Sequence, residues 1–269
     1  MNSGKKITLW IGLTLVALLF VLMAVSLFYV PYGANEMNIA GRLQAPGAAH
    51  WLGTDNFGRD ILSRIMEGTQ TAFSVGFFSV CIGLAGGFLL GAAAGYLGRW
   101  ADELLMRAVD ALMAFPGILL ALILVTIFKP SLGQTIIAIG ILFVPSFARV
   151  IRGGFLQTKE ADFVKAARGM GAGHAALIFR HIVPHILSSV IVTASLCFSA
   201  AILVEAALSY LGLGVQPPDP SWGRMLNESQ AYMSKAPWYA LAPGLFITLT
   251  VLGFNLLGDG IRDLRDRRV

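Results

Sequence analysis

The chain has 269 residues, 56% of them hydrophobic and only 13% charged, with a mean hydropathy of +0.72. Soluble domains carry about 25% charged residues, so this composition excludes an ordinary soluble domain and points to an integral membrane protein. The formal charge of +5 is spread over several loops without an aromatic stacking platform, which argues against nucleic acid as a partner.

Charge-free stretches cover residues 7–35, 68–98, 111–128, 130–148, 181–204 and 236–258. Each supplies, or nearly supplies, the roughly 20 apolar residues of a spanning helix, which predicts an all-α polytopic bundle of six transmembrane helices. Lys5 and Lys6 precede the first run as in a secretory signal. That run is too long for a signal core and no small-x-small site closes it, so an uncleaved first helix is expected.

Residues 1–70 are expected to form the first helix with an outside segment, and residues 71–269 a core of five further helices. Within the segment, Ile61, Leu62, Ile65 and Met66 fall on one helical face while Asp60, Arg64 and Glu67 fall on others. This predicts an amphipathic helix lying at the membrane interface, capped by Asp55 or Asn56. The stretch DNFGRD (55–60) resembles a calcium loop only superficially, because no Glu closes it at the twelfth position.

In the second span, Ser79, Gly83, Gly87, Gly91 and Gly95 recur every fourth position and predict a close helix-packing seam. Pro116, Pro145 and Pro243 sit in the third, fourth and sixth spans and predict kinks. Cys81 and Cys197 both fall inside spans and are expected as buried small hydrophobes.

Positive charge collects on the cytoplasmic side of membrane proteins. With the N-terminus inside, every Lys and Arg except Arg42, Arg59, Arg64, Lys129, Arg224 and Lys235 lies there, so both termini and residues 160–184 are expected to face the cytoplasm.

No phosphate-binding loop, HExxH or GxSxG motif is present, and no catalytic residue is expected. His181 and His185 have helical spacing but no third ligand, so no metal site is expected. Glu205 is the natural relay residue of an ion-coupled carrier, yet it lies close to the end of its span, where interfacial solvation or a helix-helix hydrogen bond also accounts for it.

The polar segment 160–184 is the exception among these apolar runs. Phe163, Ala166, Ala167 and Met170 share the i, i+3, i+4, i+7 stripe of a short helix. Gly171 and Gly173 break it, and a second short helix is expected to carry Leu177, Ile178 and His181 before Pro184 restarts the chain into the fifth span. The stripe either docks on a soluble partner or folds back on its own bundle.

Here KAARGMGAGHAALIFRHIVP (165–184) resembles the EAA loop of ABC importer permeases, with Lys165, Ala166, Ala167, Gly171 and Pro184 on the pattern. Lys165 replaces the acidic residue of that loop, and His181 and Val183 stand in for its Ile and Leu. WLGTDNFGRDILSRIMEG (51–68), LSYLGLGVQPPDPSWGRML (208–226) and FNLLGDGIRDLRD (254–266) resemble segments of the C-type permease of dipeptide, oligopeptide or nickel importers.

The resemblance implies a non-catalytic subunit of the bacterial cytoplasmic (inner) membrane. It would pair with a homologous permease, two cytoplasmic ATPases that use ATP-Mg, and an extracytoplasmic substrate-binding protein, binding no cofactor itself. The coupling residues implied are Phe163, Lys165, Ala166, Ala167, Arg168, Met170, Gly171 and Pro184. Docking of the binding protein is implied at Asp55, Arg59, Asp60, Gln216, Pro217 and Trp222, with Trp222, Tyr232 and Trp238 also readable as interfacial anchors. An ion-coupled carrier and a non-transporting scaffold are the alternatives.

Overall fold

The computed structural model describes residues 3–265, with side chains from residue 7 to residue 263. In chain order the helices are α1 (Ser3–Ser26), α2 (Ile61–Leu97), α3 (Arg99–Met113), α4 (Gly117–Phe128), α5 (Leu132–Thr158), α6 (Asp162–Gly169), α7 (His174–Ala176), α8 (Val183–Tyr210), α9 (Trp222–Ser229) and α10 (Pro237–Arg265). Among the described residues, five runs are long and apolar enough to cross a bilayer: Ile7–Ser26, Ile61–Leu97, Leu132–Thr158, His174–Tyr210 and Pro237–Asp263.

The third expected span is not a straight helix. α3 and α4 meet at 85°, and Pro116 sets the break: it has no N–H to donate, and its ring disfavours helical backbone at the residue before it. α4 alone is about 18 Å long, short of a hydrocarbon core of about 30 Å, so this crossing is a broken one. α3 is tied to α5 by Arg152, which holds Asp102, and by Arg149, 2.7 Å from Asp110.

α2 and α5 form the tight centre of the bundle along the predicted seam. A Cβ at Gly83, Gly87 or Gly95 would lie 2.6, 2.3 or 2.6 Å from the Cβ of Phe143, Phe147 or Phe155, and one at Gly91 would lie 2.4 Å from the Ala148 carbonyl. Ser79 completes the row by donating its hydroxyl to the Ile136 carbonyl at 3.0 Å. The five missing or minimal side chains let the backbones close, so Phe143, Phe147, Ile151 and Phe155 are buried between helices. α1 lies antiparallel along α10, with Leu9 against Gly260 and Gly12 against Leu256 and Leu257.

Two expectations at the start of α2 are corrected. No separate interfacial helix exists: residues 61–68 are the first turns of the 37-residue α2, and the expected division between residues 70 and 71 falls inside that one rod. The cap is Asp60, whose carboxylate accepts from the Ser63 N–H at 2.7 Å and the Ser63 hydroxyl at 2.8 Å. Ile61 and Ile65 are fully buried because α9 folds over them, so this face meets protein rather than headgroups.

Of the two cysteines, Cys197 is buried as expected, whereas Cys81 is exposed on the bundle's flank. It lines an apolar groove of about 380 Å³ with Leu84, Phe88, Val183, Ile186 and Val190.

Candidate functional sites

The expected functional segments sit at opposite ends of α2. Residues 51–60 precede its first turn and pack against α9 and the start of α10, while the loop carrying α6 meets its last turn through Lys159 and His174. A 37-residue helix spans about 55 Å, so a whole hydrocarbon core of about 30 Å fits between the two ends.

At the α6 end, Gly171 ends the helix with φ +88°. Its N–H donates to the Arg168 carbonyl, and the Ala172 N–H reaches back to the Ala167 carbonyl, both at 3.0 Å. This paired closure needs a left-handed residue just past the cap, which explains a glycine at that point. The chain then turns into α7 without a second break. Residues 174–210 run continuously, passing through a π-helical turn at Leu177–Ile182 in place of the expected restart at Pro184.

The stripe expected on α6 divides between two faces. Ala167 is 5% exposed and packs with Val164 into the core, whereas Phe163, Ala166 and Met170 face outward, Met170 at 83% exposure. Lys165 and Arg168 are exposed, and Lys165 lies 3.4 Å from the exposed Glu160. Pro184 is exposed in the first turn of α8. The fold-back reading therefore holds for the Val164 and Ala167 face, and the other face is left exposed.

At the other end, three residues expected to meet a binding protein are structural. Asp55 is fully buried, and its carboxylate accepts from the Phe57 N–H at 2.8 Å, the Arg59 N–H at 2.9 Å and Arg59 Nε at 2.5 Å. Arg59 Nη2 continues to Glu228 at 3.0 Å, which also accepts from Arg224 Nε at 3.0 Å and from the Tyr239 hydroxyl at 2.9 Å. Arg64, also buried, lies 3.8 Å from both Asp55 and Glu228. Asp60, besides capping α2, accepts a hydrogen bond from His50 Nδ1–H at 2.9 Å.

Trp222 is corrected in the same way. It is 1% exposed and donates Nε1–H to the Ile65 carbonyl at 3.2 Å, so it is neither an interfacial anchor nor a docking residue. Gln216 is half-buried and Pro217 exposed, and of the nearby aromatic residues Trp51 and Phe57 are exposed.

Glu228 lies outside the spans. Burial pushes its carboxyl up, but the charges of Arg64 and Arg59 and the hydrogen bonds from Tyr239 and Arg224 outweigh burial and hold it below the ordinary range. Charges in so little water survive only when paired and hydrogen-bonded, and this cluster joins residues 55–64, α9 and α10 into one cap. Glu205, near the cap, is 1% exposed and accepts from the Ser209 and Ser221 hydroxyls at 2.7 and 2.8 Å. It holds the loop after α8 onto that helix, which excludes interfacial solvation.

Sequence reasoning missed Glu228, Tyr239 and the polar residues beside α6. Only Glu228 left a local signal, the four-residue spacing from Arg224 on a helix.

Residues 87–269 match the family model described as "Binding-protein-dependent transport system inner membrane component". The chain belongs to that family. It is a permease subunit of an ABC importer, and such subunits work with a partner permease, an ATPase and a binding protein. It is 48% identical over 234 residues to the dipeptide transport system permease protein DppC of Alkalihalophilus pseudofirmus, covering 87% of this chain and 77% of that one. The glutathione transport system permease protein GsiD of Pectobacterium atrosepticum is 45% identical over 257 residues, covering 93% and 85%. In fold the permease is similar to the MetNI methionine ABC transporter in an inward-facing conformation, with a TM-score of 0.59 at 18% identity over 77% of this chain and 95% of that one.

Proposed function

We propose that this permease, paired with a homologous permease, forms the path by which short peptides enter a bacterial cell across the inner membrane. Two cytoplasmic ATPases drive it, and an extracytoplasmic binding protein delivers the substrate. The relatives named for dipeptide and glutathione favour short peptides over nickel. The chain itself binds no cofactor; ATP-Mg belongs to the ATPases.

The observation that carries the reading is the two-sided α6. Val164 and Ala167 fix it to the bundle, and Phe163, Ala166 and Met170 offer an exposed apolar face between the ends of α5 and α8. That face suits a groove on an ATPase, and closure of the ATPase pair would move α6 as a rigid body, rocking the helices on either side. Both termini then lie with α6 in the cytoplasm, as the antiparallel α1 and α10 favour. Lys5, Lys6, Arg265, Arg267 and Arg268, part of the charge argument for that side, lie outside the described side chains. The binding protein meets the cap at Trp51, Phe57, Gln216 and Pro217. Asp55, Arg59, Asp60 and Trp222 support that surface from within. An ion-coupled carrier is disfavoured because Glu205 is enclosed by two serine hydroxyls.

Purification of the tagged chain with its membrane partners, followed by uptake of a labelled dipeptide into vesicles, tests this. ATPase subunits should co-purify, and uptake should survive a protonophore and stop when ATP is withdrawn. Uptake that collapses with the ion gradient while ATP is abundant would overturn it.

A further inference from the structure

The loop that carries α6 leaves α5 at Thr158 and rejoins a long helix at His174, and both of its ends touch the same turn of α2. At the entry, Lys159 donates Nζ–H to the Gly95 carbonyl at 2.8 Å. At the exit, His174 Nδ1 lies 2.5 Å from the Tyr96 hydroxyl, and the two rings meet edge-on with centroids 5.7 Å apart. Gly95 and Tyr96 are consecutive residues in the last turn of α2.

This turn is chemically prepared for the contact. The last four carbonyls of a helix have no partner within it, and the Gly95 carbonyl is one of them, while the neighbouring Ala94 carbonyl is taken by the Gly98 N–H at 3.0 Å. An ammonium group at a helix C-terminus also meets the negative end of the dipole. The loop itself is closed by Gly171 and seated through Val164, Ala167 and Leu177, so Lys159 and His174 are not needed to form α6. They join a body that is already folded to a helix it does not continue into.

From that turn, α2 runs unbroken to Asp60 and Arg64 in the buried cap, locked on the way to α5 by the glycine seam. We infer that Tyr96 and Lys159 are positioning residues that pass displacement of the α6 loop directly into α2, and so to the cap where a substrate-loaded binding protein would sit. The inference rests on the reading of α6 as the ATPase-facing element. Without the clamp, a push on α6 reaches α2 only at second hand, through α5, α8 and the apolar contacts of Val164 and Ala167.

The test uses the complete transporter in lipid nanodiscs and vesicles, with Tyr96→Phe and Lys159→Met, which keep the ring and the aliphatic stem. ATPase association and basal hydrolysis should stay within about twofold of the parent. Labelled dipeptide imported per ATP should fall at least about fivefold, the lower end of ordinary coupling between sites, and hydrolysis should lose its response to loaded binding protein. Tyr96→Phe combined with His174→Gln should be no worse than Tyr96→Phe alone, because both remove one shared hydrogen bond. Parental import per ATP in both single variants overturns the inference, as does a loss of import that only tracks loss of assembled complex. Phe163→Asp separates the two readings: if it removes the ATPase while the clamp variants stay coupled, only the clamp fails. If the ATPase remains bound to Phe163→Asp, the α6 reading fails and the clamp with it.

Discussion

At Gly171 the cost of substitution lies in the backbone and not in space. Nothing lies within 4 Å of where its Cβ would be, yet φ is +88°, which L residues with side chains adopt at a cost of about 1–2 kcal/mol. Gly171→Asn should therefore retain most uptake and Gly171→Val should lose most of it, with similar amounts of chain in the membrane; equal activity of the two would show that the left-handed closure is dispensable. Glu205 works by the opposite principle, since its contacts and not its backbone matter. Glu205→Gln keeps an oxygen acceptor for Ser209 and Ser221, so uptake should persist. Glu205→Leu leaves two buried hydroxyls without their acceptor, a loss of about 1–3 kcal/mol that thermal denaturation of the purified complex should register. Abolished uptake in a fully assembled Glu205→Gln protein would favour ion coupling instead.

At the level of helices, α6 makes the clearest separation between internal and external roles. Ala167→Trp forces an indole into a site that is 5% exposed, so overpacking should cost about 1–3 kcal/mol and reduce the assembled permease itself. Phe163→Asp and Met170→Asp should leave the permease stable and remove the ATPase from it, measured by co-purification; loss of permease in all three variants would mean that both faces are buried. Sequence alone could not divide this stripe, because Phe163, Ala166, Ala167 and Met170 share helical spacing and nothing local says which arc meets the bundle. The seam on α2 was legible because a small residue at every fourth position has one good use in lipid. The broken third crossing was half legible: Pro116 marked the place, but whether a helix bends slightly or by 85° depends on what α3 finds to hold, here Arg149 and Arg152 on α5. The start of α2 was misread for a related reason. Asp60 and Arg64 have the charges of a solvent-facing arc, and the burial of Arg64 depends on Glu228, far along the chain, while Asp60 is satisfied by Ser63 and His50.

Taken as one body, the permease has a soft end and a locked end. The α6 end is seated by a few apolar side chains, Val164, Ala167 and Leu177, and its ion pair Lys165 with Glu160 is exposed and contributes little in water. The cap is held by a buried ionic cluster in which Glu228 receives Arg59, Arg224 and Tyr239, so residues 55–64, α9 and α10 stand or fall together. Such a lock should be acid-sensitive. The folded state holds the Glu228 carboxyl below the ordinary glutamate value of about 4.3, so the unfolded chain binds that proton more readily. Its stabilising effect is therefore complete above that value and fades as pH falls through the lower folded value. Thermal midpoints of the purified permease should stay flat from neutral pH to about 5 and then drop as the lower folded value is approached. In Glu228→Gln the drop should be shallower and start from a lower plateau, because Gln keeps acceptor oxygen but not the charge that balances Arg59 and Arg64. Identical acid profiles for Glu228→Gln and the parent would mean that the cluster does not hold the cap together.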